Sequence, residues 1–291
     1  MTIAVTGSSG QLGRLVAEGL LDALAPQDVV LVTRTPDKLA DLAARGADVR
    51  QGDFDAPASL SAAFAGVDRL LLISGDALGA RVEQHFVAIG AAADAGVRHI
   101  VYTSVGNPSD DNPAIVAPDH RATEEALRAS GVAWTFLRNG IYADLQVDTA
   151  AGAIATGTLL TNAGNGRIAY VTRADLAAAT VAVMTREGHE GKAYDLTGPE
   201  ALDAEDLAAI YGEVGGTRVE VAHIDDEGWV DAMVEHAGLP AEVAHVLATF
   251  GAAQRQGFSA VVTPTIERLT GRAPSSLREF LVAQREALVA A

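Results

Sequence analysis

Residues 3–13 read Ile-Ala-Val-Thr-Gly-Ser-Ser-Gly-Gln-Leu-Gly, so a short apolar stretch runs into glycines at positions 7, 10 and 13. The apolar stretch has the length of a buried strand. Apolar side chains then recur at the i, i+3, i+4 spacing of one helix face, at Leu12, Leu15, Val16, Leu20 and Leu24. The pattern predicts a strand, a glycine turn and a helix in immediate succession.

The three glycines suit a dinucleotide-binding turn. Gly7 permits a tight turn, Gly10 lets the backbone approach a pyrophosphate, and Gly13 allows the helix to pack closely on the strand. The helix that begins near Gln11 would hold the diphosphate with its free N–H groups and the positive end of its dipole. An ordinary strand–helix turn is the alternative, but the flanking strand and helix patterns favour the nucleotide site.

Length and composition indicate a single large α/β unit with room for a smaller lobe. The chain has 291 residues, of which 49% are hydrophobic, and it contains no cysteine. Disulfides, iron–sulfur clusters and thiolate zinc sites are therefore excluded. The longest apolar runs, such as Leu70–Ile73, have strand length, so we expect no membrane span. Because Met1 leads directly into the first strand, we expect no secretory signal and a cytoplasmic protein.

The charge of the chain is strongly negative, with a formal net charge of −17. Nucleic acid is an improbable partner because binding to phosphate backbones requires a basic face. An anionic ligand must instead find a local positive cluster. The chain has only two lysines, Lys38 and Lys192, which makes the position of each informative.

Strands and helices alternate up to residue 137, which predicts a parallel sheet covered by helices on both faces. The predicted strands after the first are Val29–Thr33, Ala47–Gln51, Leu70–Ser74, His99–Ser104 and Trp134–Leu137. The predicted helices are Ala58–Phe64, Ala80–Ala95 with Val82, Phe86, Ile89 and Ala93 in the core, and Arg121–Ser130.

Beyond Leu145 the alternation loosens. We expect a Gly/Thr/Asn-rich connection over Gly152–Gly166, then an extended segment, a helix and a late strand over Ala169–Thr172, Ala174–Thr185 and Tyr194–Leu196. The prediction is an α/β protein with a Rossmann-like doubly wound parallel sheet in residues 1–145, to which residues 165–200 return. Residues 146–164 and 201–291 are expected to form a smaller, mainly helical substrate lobe.

The end of the second strand carries positive charge where an NAD site would place an acidic residue. Arg34 follows the strand and Lys38 lies one helical turn later, a pair that suits a 2′-phosphate. A solvated Arg and Lys at a helix start is the alternative, and Asp37 could face a ribose. We favour NADPH as the cofactor.

Further polar residues end the neighbouring strands. Asp53 and Phe54 follow the third strand, where the adenine would lie, although turn residues are an equally good interpretation. Ser74 ends the fourth strand, and Thr103 and Ser104 end the fifth. Because ligands bind at the carboxyl ends of parallel strands, we expect these three residues to face the cofactor crevice.

The catalytic options are narrowed by what the sequence lacks. None of the five tyrosines has a lysine four residues later, so the Tyr/Lys proton-transfer pair of many dehydrogenases is absent. There is no phosphate-binding Gly-Lys loop, no Gly-x-Ser-x-Gly elbow and no metal-like histidine spacing, and we predict no metal site. A nucleotide site without a dedicated acid suits an acceptor that takes hydride readily, such as a quinone or another conjugated compound.

Three residues are candidates for the catalytic end of the site. His120 is predicted at a helix start, where it would bind the nicotinamide ribose or donate a proton near neutral pH, unless it is simply exposed. Asn139 would contact the carboxamide or the acceptor carbonyl, and Tyr142 would stack on a planar ring or pack in the core. Arg138 is expected to form a structural ion pair, for which Asp175 is a candidate partner. His85 has no assigned role.

Six segments together resemble the NmrA-like atypical short-chain dehydrogenases, of the NADPH-dependent quinone oxidoreductase and triphenylmethane reductase type. They are residues 6–13, 32–38, 102–104, 119–124, 135–142 and 171–176, and the pair Asp-His-x-x-Thr-Glu and Arg-Asn-Gly-x-Tyr is the most specific part. The resemblance implies NADPH, a Rossmann domain with a small C-terminal lobe, and hydride transfer to a quinone or dye-like acceptor. By position it implies cofactor roles for Gly7, Ser9, Gly10, Gln11, Leu12, Arg34 and Lys38, and a place beside the nicotinamide for Asn139 and Tyr142.

Two functions from different classes follow. The first is an NADPH-dependent oxidoreductase acting on a small quinone-like acceptor. The second is an NmrA-type regulator that senses NADP(H) without turnover and acts through a protein partner. A sugar-nucleotide epimerase is disfavoured by the missing Tyr/Lys pair. The oligomeric state is not predicted.

Overall fold

The computed structural model describes residues 1–77 and 79–289, and the end of the predicted lobe at residue 291 lies outside them. Its main sheet has seven strands in the order β3-β2-β1-β4-β5-β6-β8, all paired in parallel. The chain runs outward from β1 on one side and then from β4 on the other. The carboxyl ends of β1 and β4 therefore form the switch point at which such sheets bind ligands. The strands are β1 Ile3–Val5, β2 Val29–Thr33, β3 Asp48–Gln51, β4 Arg69–Leu72, β5 His99–Val105, β6 Ala133–Asn139 and β8 Lys192–Leu196.

Helices connect the strands and extend into the C-terminal part. None of the helices in the described residues is long and apolar enough to cross a membrane. They are α1 Gln11–Ala23, α2 Ala40–Ala44, α3 Pro57–Ala63, α4 Arg81–Asp94, α5 Ala117–Ala129, α6 Gln146–Thr156, α7 Arg173–Thr185, α8 Ala204–Gly215, α9 Asp226–Ala237, α10 Ala241–Arg255, α11 Thr265–Thr270, α12 Leu277–Ala283 and α13 Arg285–Val289.

Two apolar clusters cover the two faces of the main sheet. Ile3 and Val5 of β1 pack with α1, α7 and α11 on one face, while Ala4 between them packs with α3 and α4 on the other. Successive strand residues point to opposite faces, so a strand buried on both sides is apolar at every position. The doubly wound α/β prediction is confirmed.

A second, two-stranded parallel sheet lies in the C-terminal part. β7 Thr158–Thr161 pairs with β9 Glu220–His223, and a third apolar cluster joins α6, α8 and α12 beside it. The predicted irregular connection over Gly152–Gly166 is therefore wrong. Helix α6 runs through its first part and ends at Gly157, which adopts the left-handed conformation with φ +72° that often terminates helices.

Helix α4 buries a different face from the one predicted. Ile89 is in the core as expected, but Phe86 is 48% exposed and Ala93 is also exposed. The buried face carries Arg81 and His85 instead, with Ala88 and Ala92. Hydrophobic periodicity cannot identify this face because the two polar side chains are buried by virtue of hydrogen-bond partners elsewhere in the fold.

Candidate active site

The glycine turn has the geometry that its spacing predicts. Gly7 adopts a positive φ of +60°. Glycine tolerates this conformation because it has no Cβ, whereas other residues rarely adopt it. A Cβ at position 13 would overlap the carbonyl oxygen of Gly7, so only glycine allows this approach of helix and turn. Gly10 precedes α1 in an extended conformation, and no side chain caps the helix. The first N–H groups of α1, from Gln11 onward, are thereby left for an anion.

Hydrogen bonds fix the turn to the end of β2. The hydroxyl of Ser8 donates to the carbonyl oxygen of Val5 at 2.6 Å, and the N–H of Ser8 donates to Val32 at 3.2 Å. Ser9 Oγ lies 2.8 Å from Thr33 Oγ1, which places it between the glycine turn and Arg34. The turn is therefore held in place by hydrogen bonds within the protein itself.

The basic pair at the end of β2 is available to a ligand. Arg34 and Lys38 are both exposed, and neither forms a salt bridge with another residue in the described part of the chain. Arg14 and Arg45, by contrast, pair with Asp41 and Asp22. Two free cations beside the glycine turn fit a ligand with an additional phosphate.

The residues that follow β3 form hydrogen bonds within their own loop. The N–H of Asp53 donates to Ser59 Oγ at 2.9 Å, and Asp53 Oδ1 accepts from the N–H of Asp55 at 3.1 Å. Phe54 is partly buried and packs on the second apolar cluster, with its ring 6.3 Å from that of His85. An adenine contact for Asp53 and Phe54 remains a prediction.

The opposite wall of the crevice is built by β4 and β5. The N–H of Ser74 donates to Thr103 Oγ1 at 2.9 Å, and the N–H of Ile73 donates to Thr6 Oγ1 at 2.9 Å. Ser74 and Thr103 therefore lie at the switch point beside the glycine turn. Ser104 was expected there too, but its hydroxyl donates to the buried carboxylate of Glu124 at 2.8 Å, on the other side of the strand.

His120 is buried in the first turn of α5 and is not the exposed helix-start residue considered above. Its Nδ1 lies 2.7 Å from the hydroxyl of Tyr102, and either atom can be the donor, depending on which ring nitrogen of His120 carries the hydrogen. Burial lowers the pKa of His120 to about 3, which disfavours the charged imidazolium that proton donation near neutral pH would require. Ribose binding and proton donation by His120 both remain predictions.

Asn139 ends β6 in a position that implies a ligand. It is 4% exposed, and neither Oδ1 nor Nδ2 makes a hydrogen bond of good geometry within the described structure, although the side chain of Tyr142 lies close enough to interact with it. An unpaired buried amide is costly and is rare in native proteins. We interpret this amide as a group that hydrogen-bonds to a bound ligand at the carboxyl end of the sheet.

A cleft of about 260 Å³ opens at this position, between the ends of β5, β6 and β8 and the C-terminal lobe. Asn139, Asn112 and Arg138 contribute polar groups, and Phe250 and Phe258 contribute aromatic ones. Such a mixture of apolar walls and a few polar groups is typical of small-molecule sites.

Tyr142 does not line this cleft. Its ring packs against the first apolar cluster, and the guanidinium of Arg173 lies 4.6 Å from the ring centroid. Burial raises the pKa of Tyr142. The side chain of Tyr142 also interacts with that of Asn139, an effect that lowers its pKa against the effect of burial. Stacking on an acceptor and packing in the core both remain predictions for Tyr142.

Arg138 forms a structural ion pair as predicted, but its partner is Glu124 and not Asp175. Arg138 Nε and Nη2 donate to the two oxygens of Glu124 at 2.9 and 2.7 Å. Asp175 instead pairs with Arg272 at 2.9 Å. The sequence contains one signal for the observed network, since Glu124 and Arg128 are four residues apart on α5 and do pair.

Two further side chains of the site had no predicted role. His85 and Arg81 of α4 hydrogen-bond to the N–H and the carbonyl oxygen, respectively, of Gly75, the residue after Ser74.

Within the described residues, no group of three or more histidine, aspartate or glutamate side chains is arranged to hold a metal ion.

Comparison with known proteins identifies the family. A family model described as NAD(P)H-binding matches residues 7–187. Quinone oxidoreductase 2 of Escherichia coli is 38% identical over 277 residues, covering 95% of this chain and 96% of that protein. The NAD(P)H azoreductase of Xenophilus azovorans is 29% identical over 289 residues, covering 99% of this chain and 100% of that protein.

Solved structures give the same result. The NADPH-dependent quinone oxidoreductase of E. coli, complexed with NADPH, superimposes with a TM-score of 0.93 at 37% identity, covering 97% of this chain and 99% of that one. The triphenylmethane reductase of Citrobacter sp., complexed with NADP(H), superimposes with a TM-score of 0.90 at 37% identity, covering 98% of this chain and 100% of that one. The resemblance inferred from the six segments is confirmed. The chain belongs to the NAD(P)H-binding family.

Proposed function

We propose that this protein uses NADPH to reduce a quinone or a similarly conjugated small molecule by hydride transfer. The observation that carries the proposal is the unpaired, buried amide of Asn139, which lies at the cleft on the same edge of the sheet as an uncapped helix N-terminus. The similarity to a quinone oxidoreductase and an azoreductase over nearly the whole chain supports it. The cytoplasmic location predicted from the sequence is part of this proposal.

The residues present fit the cofactor. The backbone of the glycine turn and the start of α1, including Leu12, would hold the pyrophosphate. Arg34 and Lys38 would bind the 2′-phosphate, and Ser9 stands between these two anion sites. Asn139 would orient either the carboxamide or the acceptor carbonyl, because its amide has both a donor and an acceptor to offer.

The protein contributes orientation rather than acid catalysis. NADPH supplies the hydride. His120 is neutral at pH 7, and burial raises the pKa of Tyr102, so neither side chain provides a ready proton. The acceptor must therefore take its protons from water. Conjugated acceptors meet this requirement because they stabilise the negative charge that the hydride brings.

The size of the cleft limits the acceptor. A volume of about 260 Å³ is close to the lower end of the range for small-molecule pockets. Phe250 and Phe258 offer flat apolar surface to a planar ring. We infer a one- or two-ring acceptor with at least one carbonyl or equivalent acceptor atom for Asn139.

The NADP(H)-sensing regulator is not favoured, since the relatives found at 38% and 29% identity carry the names of reductases. The test of the proposal is direct. Purified protein, NADPH and a simple benzoquinone should show loss of the near-ultraviolet absorbance of NADPH, at a rate proportional to protein concentration. If the protein binds NADPH but does not oxidise it with any of a panel of quinones, azo dyes and triphenylmethane dyes, the regulator is the correct interpretation.

Replacement of Arg34 by alanine should weaken NADPH binding by about 1.5–3 kcal/mol and leave NADH binding nearly unchanged. The reason is that only NADPH carries the phosphate that this guanidinium would contact. Because Arg34 is exposed, salt will move the effect toward the lower figure. Calorimetric titration with both cofactors measures it. Arg45→Ala, which removes an exposed arginine paired with Asp22, is the matched control and should affect neither cofactor. An equal loss for NADPH and NADH would show that Arg34 does not contact the phosphate.

A further inference from the structure

The segment that follows β4, residues 73–77, is held by the interior of the protein, and we call it the β4 loop. The N–H of Gly75 donates to His85 Nε2 at 3.1 Å, and the carbonyl oxygen of Gly75 accepts from Arg81 Nε at 2.6 Å. His85 is fully buried and Arg81 is 6% exposed. Two side chains four residues apart on α4 therefore hold Gly75 on both sides.

The hydrogen bonds allow only one form of His85. Its Nδ1 lies 2.9 Å from Thr123 Oγ1, and the Thr123 hydroxyl donates its hydrogen to the carbonyl oxygen of Asp119 at 2.9 Å. The Thr123 oxygen must therefore accept from Nδ1–H, which leaves a lone pair on Nε2 for Gly75. Burial and the positive charge of Arg81 lower the pKa of His85 to about 3, so this neutral form is present at pH 7.

The same side chains connect the β4 loop to α5. Arg81 Nη1 donates to the carboxylate of Asp119 at 3.1 Å, and His85 reaches Thr123 one turn further along. Helix α5 also carries His120, whose ring contacts Tyr102 beneath the crevice. The loop and the helix are therefore fixed relative to each other by buried polar contacts.

The β4 loop faces the glycine turn. Ile73 at the start of the loop donates its N–H to Thr6, and its Cβ lies 3.7 Å from the position that a Cβ on Gly7 would occupy. β1 and β4 are adjacent strands at the switch point. A displacement of the loop would therefore change the width of the crevice that the glycine turn borders.

We propose that His85 is a positioning residue for the cofactor: by accepting the N–H of Gly75 it sets the separation between the β4 loop and the glycine turn at which NADPH binds. The inference rests on the proposed NADPH-dependent function. Without His85 Nε2, the N–H of Gly75 loses its acceptor, and the loop must move to find another.

Two substitutions of His85 distinguish the role of Nε2, which contacts Gly75, from that of Nδ1, which contacts Thr123. In His85→Asn the amide nitrogen can replace Nδ1 and still donate to Thr123, but nothing reaches Gly75. In His85→Gln the amide oxygen can occupy the place of Nε2 and accept from Gly75. We expect His85→Asn to raise the Kd for NADPH about tenfold and His85→Gln to stay within about threefold of the unmodified protein. Glu83→Ala, at an exposed position of α4, is the control and should change nothing.

Hydrogen–deuterium exchange provides a readout that a general loss of stability would not reproduce. In His85→Asn the peptide that contains residues 73–77 should exchange faster, while peptides from α1 and α7 keep their protection. Equal Kd values for the Asn and Gln variants, or faster exchange spread over the whole chain in both, would overturn the positioning role while leaving the proposed function intact. Failure of the unmodified protein to bind NADPH would overturn both.

Discussion

Replacement of Glu124 by alanine should lower the free energy of unfolding by about 3–5 kcal/mol. The carboxylate is 1% exposed and accepts hydrogen bonds from Arg138, Arg128 and Ser104. Removing the carboxylate leaves Ser104 buried and Arg138 partly buried without this partner, which is where most of the cost arises, whereas Arg128, whose side chain is 42% exposed, is solvated instead. Of the two arginines, Arg138 is the less exposed, at 25%, so the loss of its ion pair should contribute the larger part of the destabilisation. Urea unfolding of the two proteins measures the difference.

The same substitution should impair the site. Ser104 and Arg138 are opposite each other in the pairing of β5 with β6, and the next residue on β6 is Asn139. Loss of Glu124 frees Arg138, which lines the cleft, and its strand neighbour Ser104, so kcat/KM for a quinone should fall together with stability. Glu125→Ala is the matched control because Glu125 is 60% exposed and lies 3.8 Å from Arg121. Its effect on stability should stay below about 0.5 kcal/mol. A Glu124→Ala protein as stable as the Glu125→Ala protein would contradict this account.

The sequence predicts the part of the fold that depends on local signals. The apolar runs of β2 and β5 and the helical pattern of α7 are each found within about one residue of their predicted bounds. The glycine turn was predictable because each glycine answers a short-range steric demand, as the overlap between position 13 and Gly7 shows. The order of the strands was not predicted, because strand–helix alternation is compatible with more than one doubly wound order.

Polar residues with distant partners were not predictable in the same way. The buried face of α4 depends on Gly75 and Thr123, which lie in other elements, so the hydrophobic pattern pointed to Phe86 instead. The charge state of His120 depends on its burial beneath the crevice. The partner of Arg138 is a residue 14 positions away on another element, and its spacing carries no signal.

The short strands of the lobe were missed for a related reason. β7 and β9 have four residues each, and the pairing joins Leu159 to Val221 across more than one intervening helix. Neither strand is buried on both faces, so neither shows the continuous apolar run that identified the strands of the main sheet.

The stability of the protein should fall steeply as the pH is lowered from 6.5 to 5. Burial lowers the pKa of His85 to about 3, of His99 to about 4 and of His120 to about 3. In the unfolded chain each has a pKa of about 6.5, so between these values the three side chains together bind three more protons in the unfolded state than in the native state. The stability that these residues contribute is fully present above pH 6.5 and is lost as the pH falls toward their native pKa values. The limiting slope is about 4 kcal/mol per pH unit.

Urea unfolding at intervals between pH 7 and pH 5 measures this slope, in a range where the carboxylates of the unfolded chain remain ionised. His99→Gln tests one of the three contributions separately. His99 Nε2 contacts Thr135 at 2.8 Å, and its Nδ1 faces Glu190 at 3.7 Å without a hydrogen bond, beside the buried Arg69. An amide at this position can keep a contact with Thr135 but does not titrate, so the slope should decrease by about a third. Stability that is constant over this range would show that the pKa values of the three imidazoles are not lowered in the native state, and His85 would then be protonated, with loss of its contact to Gly75, as the pH falls toward 5.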